Sequence, residues 1–347
     1  MVIIYKATDL NPSGFTESFA NSISGTQQVG CGWSSATGAL ARALLWSGSA
    51  ASYVDLTPSG FEGSIADGIS GTQQVGIGAG SATGGNDHAL LWNGSAASYV
   101  DLNPSGFVSS GASDISGTQQ VGWGSATGVF DNAHALLWNG SADSFVDLNP
   151  IGFYWSVAVG ISGAQQVGYG IGSATGGNYH ALLWNGSADS FVDLTPSGFD
   201  WSFAQGINGT QQVGSGRAPG AGFDHALLWS GSAASYVDLN PSGCYASSAN
   251  STNGTQQVGY GWGPVTGDCD HALLWNGSAD SFVDLHQFLS SDFIHSEARF
   301  IAGNGNIVGC ARDSSGYTHA ILWEPIPEPA TLLLLGLGAV MLRRKRS

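Results

Sequence analysis

HALLWNGSADSFVDL occupies His180 to Leu194 and recurs letter for letter at His271 to Leu285. Near-copies surround Trp46, Trp92, Trp138 and Trp229, and a shortened version, HAILWEPIPEP, begins at His319. The seven tryptophans of the motif, the last being Trp323, lie 46, 46, 46, 45, 46 and 48 residues apart. A fixed period overrides the two-domain expectation that a 347-residue chain would otherwise raise. Residues 1–323 therefore read as one array of seven repeats, residues 324–329 as a Pro/Glu linker, and residues 330–347 as an apolar segment with a basic end.

Each period holds four strand-like runs: (Y/F)VDL, a short run ending in Gly-Ile or Asp-Ile, QQVGxG, and HALLW. Turn signals separate them, among them Asn-Pro-Ser-Gly, Ser-Gly-Thr and Asn-Gly. Asn-Gly between HALLW and the next (Y/F)VDL predicts a type I′ hairpin, because that turn needs positive φ at both central residues. The same reading makes the Asn-Gly-Ser triplets at Asn93, Asn139, Asn185 and Asn276 turns rather than glycosylation sites. Four short antiparallel strands per ~40–50 residues is the pattern of a propeller blade. The expected fold is an all-β, seven-bladed β-propeller followed by a short C-terminal hydrophobic helix.

The phase of the repeat adds a closure. MVIIYKATDL stands where (Y/F)VDL belongs, and the last unit ends at HAILW with no (Y/F)VDL after it. Pairing Val2–Asp9 beside Ala320–Trp323 would complete the last blade and leave no bare sheet edge; an open solenoid, the alternative, would expose one. Asp9, Asp55, Asp101, Asp147, Asp193, Asp238 and Asp284 then become seven equivalent positions.

Charge is sparse and acidic, with a formal net charge of −16 and four of nine basic residues in the last five positions. Such a body repels a nucleic-acid backbone, so nucleic acid is not an expected partner. Cys31, Cys244, Cys269 and Cys310 allow three pairings, and buried free thiols are an equal reading.

After Trp323 the composition changes to EPIPEPATLLLLGLGAVMLRRKRS. The apolar run from Ala330 to Leu342 would rise ~20 Å as a helix, short of a ~30 Å hydrocarbon core. Its basic end would be held on the cytoplasmic side, so transient insertion is expected rather than a permanent anchor. Pro327-Glu328-Pro329, the apolar run and then Arg343, Arg344, Lys345 and Arg346 resemble a PEP-CTERM protein-sorting signal. That resemblance implies bacterial export, delivery to the cell envelope, surface or extracellular matrix, and cleavage near the motif by an exosortase, a membrane cysteine transpeptidase. The body resembles the HAF repeat of exported bacterial proteins, nearest in GNGNIVG at Gly303–Gly309 and His319-Ala320-Ile321, with His-Ala-Leu in most other units and Arg42 replacing histidine in the first. An export leader is not evident in MVIIYKATDL, and Met1 opens inside a repeat unit, so the expected start lies upstream.

His88, His134, His180, His225, His271 and His319 fall at one position of six units. They could ring a metal, or each could be a scaffold residue bonded to a nearby Asp. Equivalent positions of different blades are too far apart to share an ion away from the axis, which favours the scaffold reading with the (Y/F)VDL aspartates as partners. No HExxH, CxxC, GxSxG or Walker lysine occurs, and no cofactor is expected. Aromatic residues that vary between units, Trp123, Trp155, Trp201 and Trp262 foremost, could form a sugar-stacking platform or fill gaps between blades. The expected function is an exported binding or structural protein contacting polysaccharide or a surface protein, not an enzyme; a glycan hydrolase or lyase and a metal-binding matrix protein are the alternatives.

Overall fold

A computed structural model of the chain describes residues 4–34, 38, 40–128 and 130–326. Seven four-stranded antiparallel sheets make seven blades of a β-propeller. In the second blade the order from the axis outward is Gly63–Ser70, Gln73–Ala79, His88–Trp92 and Val100–Asp101. The other blades repeat this arrangement. The sorting motif, the apolar run and the helix expected there lie outside the described residues.

Ring closure follows the phase of the repeat. Ile4–Asp9 pairs antiparallel with Thr318–Ile326, from Ile4 opposite Ile326 to Asp9 opposite Ile321, and supplies the outer strand of the seventh blade. Val2 and Ile3 lie outside the described residues. The last strand runs three residues beyond Trp323, setting Glu324 opposite Lys6 and Pro325 opposite Tyr5.

The HALLW–(Y/F)VDL partnership is present, but the turn between them is not type I′. Among the described non-glycine residues only Asp268 has positive φ, so Asn93 does not enter the left-handed region, whereas Gly94 does at φ +77. The chain instead bends, forms a 3₁₀ turn at Ala96–Ser98, and returns to pair Leu91 with Val100 and Leu90 with Asp101. Two side chains fix this wider connection. Ser98 Oγ accepts the Asn93 N–H at 2.8 Å, and buried Gln74 Oε1 accepts the Gly94 N–H at 2.8 Å. The second Gln of QQV is thus the acceptor that the turn requires, which ties two runs of the repeat together.

Seven of the hydrophobic clusters lie between adjacent blades rather than within one. Trp184 of the fourth blade, for example, packs with Val121, Leu137 and Leu148 of the third. A hydrogen-bonded relay crosses each boundary beside it. The Ala135 N–H donates to Ser156 Oγ of the next blade at 3.0 Å, and Ser156 donates on to Asn149 Oδ1 at 2.7 Å. All seven boundaries have the Ala-to-Ser bond, including Ala320 to Ser18 across the seam. Glycine in the second strand allows the inner strand to come close: a Cβ on Gly168 would collide with the Val157 carbonyl oxygen.

The seven motif tryptophans are fully buried, yet the indole N–H of six has no hydrogen-bond partner; only Trp323 has one, the Leu285 carbonyl at 3.2 Å. Volume, not hydrogen bonding, is therefore what selects Trp here. Trp184→Ala should lower the unfolding free energy by about 3–5 kcal/mol through the cavity it leaves. Trp184→Phe should cost far less, since it also removes an unsatisfied donor. Denaturant titration of both variants checks this, and equal losses would contradict it.

Candidate functional site

Each repeated histidine is bound to its own aspartate. Nδ1 lies 2.6–2.8 Å from the second carboxylate oxygen in His88–Asp101, His134–Asp147, His180–Asp193, His225–Asp238, His271–Asp284 and His319–Asp9. The other oxygen of each aspartate caps the backbone N–H two residues on, at 2.8 Å. Where Arg42 replaces the histidine, it forms no ion pair with Asp55, and its Nε has no partner among the described residues. Among the described residues no three His, Cys, Asp or Glu side chains gather where they could hold a metal ion. The His set is thus brought together with aspartates, not with itself. The four cysteines are free thiols; burial pushes Cys31 and Cys310 up to about 12 and Cys244 to about 11.

Variation between the units segregates by strand face. In the inner two strands Ser156, Ala158, Gly168 and Gly170 keep nearly the same identity in every unit and point one way. Their alternates, Trp155, Val157, Val159, Tyr169 and Ile171, differ from unit to unit and pack together. Strand direction divides the loops likewise. Hairpins such as Gly71-Thr72 and connections such as Asn93-Gly94 open on one end of the ring and are almost constant. Loops joining the second and third strands open on the other and vary, from GSATGGND to RAPGAGF and DSSGY.

The axis carries a narrow ring of side chains. Asn21, Asp67, Ser113, Val159, Gln205, Asn250 and Arg299 occupy the β-bulge of each inner strand. A bulge turns its extra residue out of the ladder, here toward the following blade. Asn21 donates to Asp67 Oδ1 at 3.2 Å, Asn250 to Glu297 Oε1 at 3.1 Å, and Arg299 Nη1 to Asn21 Oδ1 at 2.7 Å. Toward the constant end lies a cavity of about 370 Å³ that includes Asp67 and Asp114. Toward the variable end lie two more, of about 340 Å³ and 370 Å³, lined by Phe19, Tyr260, Glu297 and Arg299 and by Tyr169, Phe203, Gln205 and Asn250 respectively.

The four nominated tryptophans all sit at the variable end but in different settings. Trp155 is 6% exposed, donates to the Phe130 carbonyl at 2.7 Å and meets Phe130, Tyr169 and Tyr179 edge-on or tilted, so it fills the gap between the third and fourth blades. Trp123 is half-buried against Phe130. Trp201 lies under the Arg217 guanidinium at 4.3 Å, and Arg217 is itself paired with Asp224 at 2.7 Å. Trp262 is half-buried, clustered with Phe223 and Tyr245 and bonded to the Asp268 carbonyl. The bulge ring and the His295, Glu297, Arg299 and Arg312 group were not singled out from the sequence as a site. Their signal is alternation: superposing the units exposes which parity varies.

Burial pushes the carboxyls of Asp67 and Asp114 up to about 7, opposed by Arg299 for Asp67 and by the N–H groups of Ile161 and Ile115 for Asp114. The folded state thus favours the protonated acid, and stability falls as pH rises from the ordinary 3.8 through about 7. Asp67→Asn should raise the melting temperature at pH 8 and change it little at pH 5; equal shifts at both would contradict this. His134 is also raised, but by a hydrogen bond rather than by burial. Its hydrogen bond to Asp147 raises it above 6.5, outweighing burial, so its contribution is complete below pH 6.5 and lost as pH climbs through the raised value. His134→Gln should therefore cost more stability at pH 5.5 than at pH 8.5 in paired thermal melts, and an equal cost would contradict it.

A seven-bladed β-propeller with one variable end is the class this geometry defines. Residues 325–346 match the PEP-CTERM protein-sorting motif, which implies export and sorting to the cell envelope or surface through an exosortase. No curated protein matches the chain. Among solved structures it is similar to the β-propeller domain of the Trilobed protease from Pyrococcus furiosus, which has an open velcro topology (TM-score 0.58, 6% identity, 93% of this chain and 98% of that one). It is also similar to an oligogalacturonate lyase from Vibrio parahaemolyticus (TM-score 0.50, 11% identity, 94% and 92%). At such identities the likeness is one of fold.

Proposed function

We propose that the chain is an exported propeller that binds a polysaccharide or surface protein through its variable end while its tail is handled by an exosortase. The observation that carries this reading is the confinement of unit-to-unit variation to one end and one parity of the inner strands. Scaffold duty explains the constant letters, as the Gln74, Ser98, His88 and Ser110 bonds illustrate. It does not explain why Tyr169, Gln205, Tyr260 and Arg299 should differ from their counterparts. The HAF-type resemblance of the units fits the same exported setting.

Orientation supports the proposal. The last strand starts at the variable end and finishes at Ile326 on the constant end, so the chain leaves for its sorting tail from the end opposite the variable cavities. A propeller tethered by that tail directs those cavities away from the envelope. An enzymatic role has less support: the two structural likenesses are to the β-propeller domain of a protease and to a lyase, and they are of fold only.

Tyr169→Ala and Trp262→Ala should each weaken binding to a surface polymer, whereas Thr72→Ala at the constant end should leave it unchanged. Binding isotherms against isolated envelope glycans and proteins test this, and variants at both ends behaving alike would count against it. Mass spectrometry of fractionated cells tests the sorting half: a tail intact to Ser347 on cytoplasmic protein would overturn it.

A further inference from the structure

The seventh unit departs most from its siblings. Where the fourth has Trp155, Val157 and Val159, it has His295, Glu297 and Arg299, and its second strand, Ile307–Asp313, carries Arg312 opposite His295. These side chains surround the cavity of about 340 Å³ between the sixth, seventh and first blades. Lys6, Arg42, Arg217, Arg299 and Arg312 are the lysines and arginines among the described residues, and two of the five converge here in a chain of net charge −16.

The two arginines differ in what they have left to give. Arg299 is largely engaged: Nη1 donates to Asn21, Nη2 lies 3.5 Å from Glu297, and its guanidinium covers the Phe19 ring at 4.8 Å, while its buried Nε has no partner among the described residues. Arg312 is exposed, stands opposite His295 and Thr318 in the sheet, and forms no ion pair among the described residues. Arg217, its counterpart in the fifth blade, is neutralised by Asp224. An unpaired guanidinium at the edge of a cavity presents the fork that receives a carboxylate through two parallel bonds. Beside it, the carboxylates of Asp270 and Glu297 face the same space, and the Tyr260 hydroxyl has no hydrogen-bond partner among the described residues.

We propose that this cavity binds one carboxylated sugar residue, a uronic acid of a polysaccharide, with Arg312 receiving its carboxylate and Asp270, Glu297 and Tyr260 bonding its hydroxyls. The inference rests on the binding reading above and names its ligand class. A phosphate dianion fits less well, because Asp270 and Glu297 would repel it while offering no donor. A uronate supplies one charge for the cation and several hydroxyls for the acceptors. The volume lies within the range of about 300–1,000 Å³ typical of small-ligand pockets.

The test is calorimetric titration of the full chain with a uronic-acid trisaccharide and with the same trisaccharide reduced at its carboxyls. The acidic form should bind, and Arg312→Ala should weaken it roughly tenfold or more, with Arg312→Lys retaining part of the affinity. Because Arg312 is exposed, its variants should melt as the parent does. Equal binding of the reduced sugar, unchanged affinity in Arg312→Ala, no binding of the acidic form, or preference for an acidic peptide would overturn the inference. Neutral glycans that still bind and still respond to Tyr169→Ala would then leave the broader binding reading standing; failure of every polymer and protein would remove both.

Discussion

One hydrogen bond, made seven times, sets the geometry of the ring: the N–H of the Ala in His-Ala-Leu donated to a serine hydroxyl on the inner strand of the next blade. The Ala N–H points to the sheet edge just beyond the two-residue fourth strand, where it has no ladder partner, and burying it unpaired would be costly. Serine supplies the acceptor and its own hydroxyl donates to Asn of the intervening connection, or shares a hydrogen bond with Thr there or with His286 at the seventh blade. That relay fixes both the distance and the register between neighbours. The buried tryptophans, which pack across the same boundaries, presuppose the spacing it sets. Repeating one sentence seven times is how a chain makes seven copies of one boundary, because a closed ring admits no boundary of a different size.

Much of this was legible in the letters. The period fixed the blade number, the offset of the two termini predicted the seam, and the shared spacing of His and Asp foretold their pairing. What misled was the Asn-Gly signal. It correctly indicated reversal, yet Ser98 and Gln74 hold a wider connection that needs positive φ only at glycine. The axial ring was hidden for a different reason: a β-bulge leaves no mark in composition, so Asn21 or Gln205 looks like any polar residue of a strand. For Trp155 the letters left a stacking platform and a gap filler both open, because nothing in its own unit reveals that Phe130 of the third blade will cover it.

The split between constant and variable positions follows from the pleat. Successive side chains of a strand point to opposite faces, so a unit can keep one parity for the boundary and release the other. Ser and Ala hold the relay and the close packing; their alternates are free to become Trp155, Phe203 or Glu297 without disturbing it. The seventh unit uses that freedom most, gathering Glu297, Arg299 and Arg312 in one blade, with Glu297 at a position where its siblings have apolar or small groups. Its neighbours tolerate this because Asn250 and Asn21 are positioned to bond Glu297 and Arg299.

The seam also has a mechanical meaning. Ile4–Asp9 and Thr318–Ile326 run antiparallel over six paired positions, and the tail continues from the end of the second of these strands. Tension on an anchored tail would pull along that strand, so the paired positions would bear load in shear, together, rather than peeling one at a time. A ring tethered in that way would be loaded at its seam in the direction in which paired strands resist best.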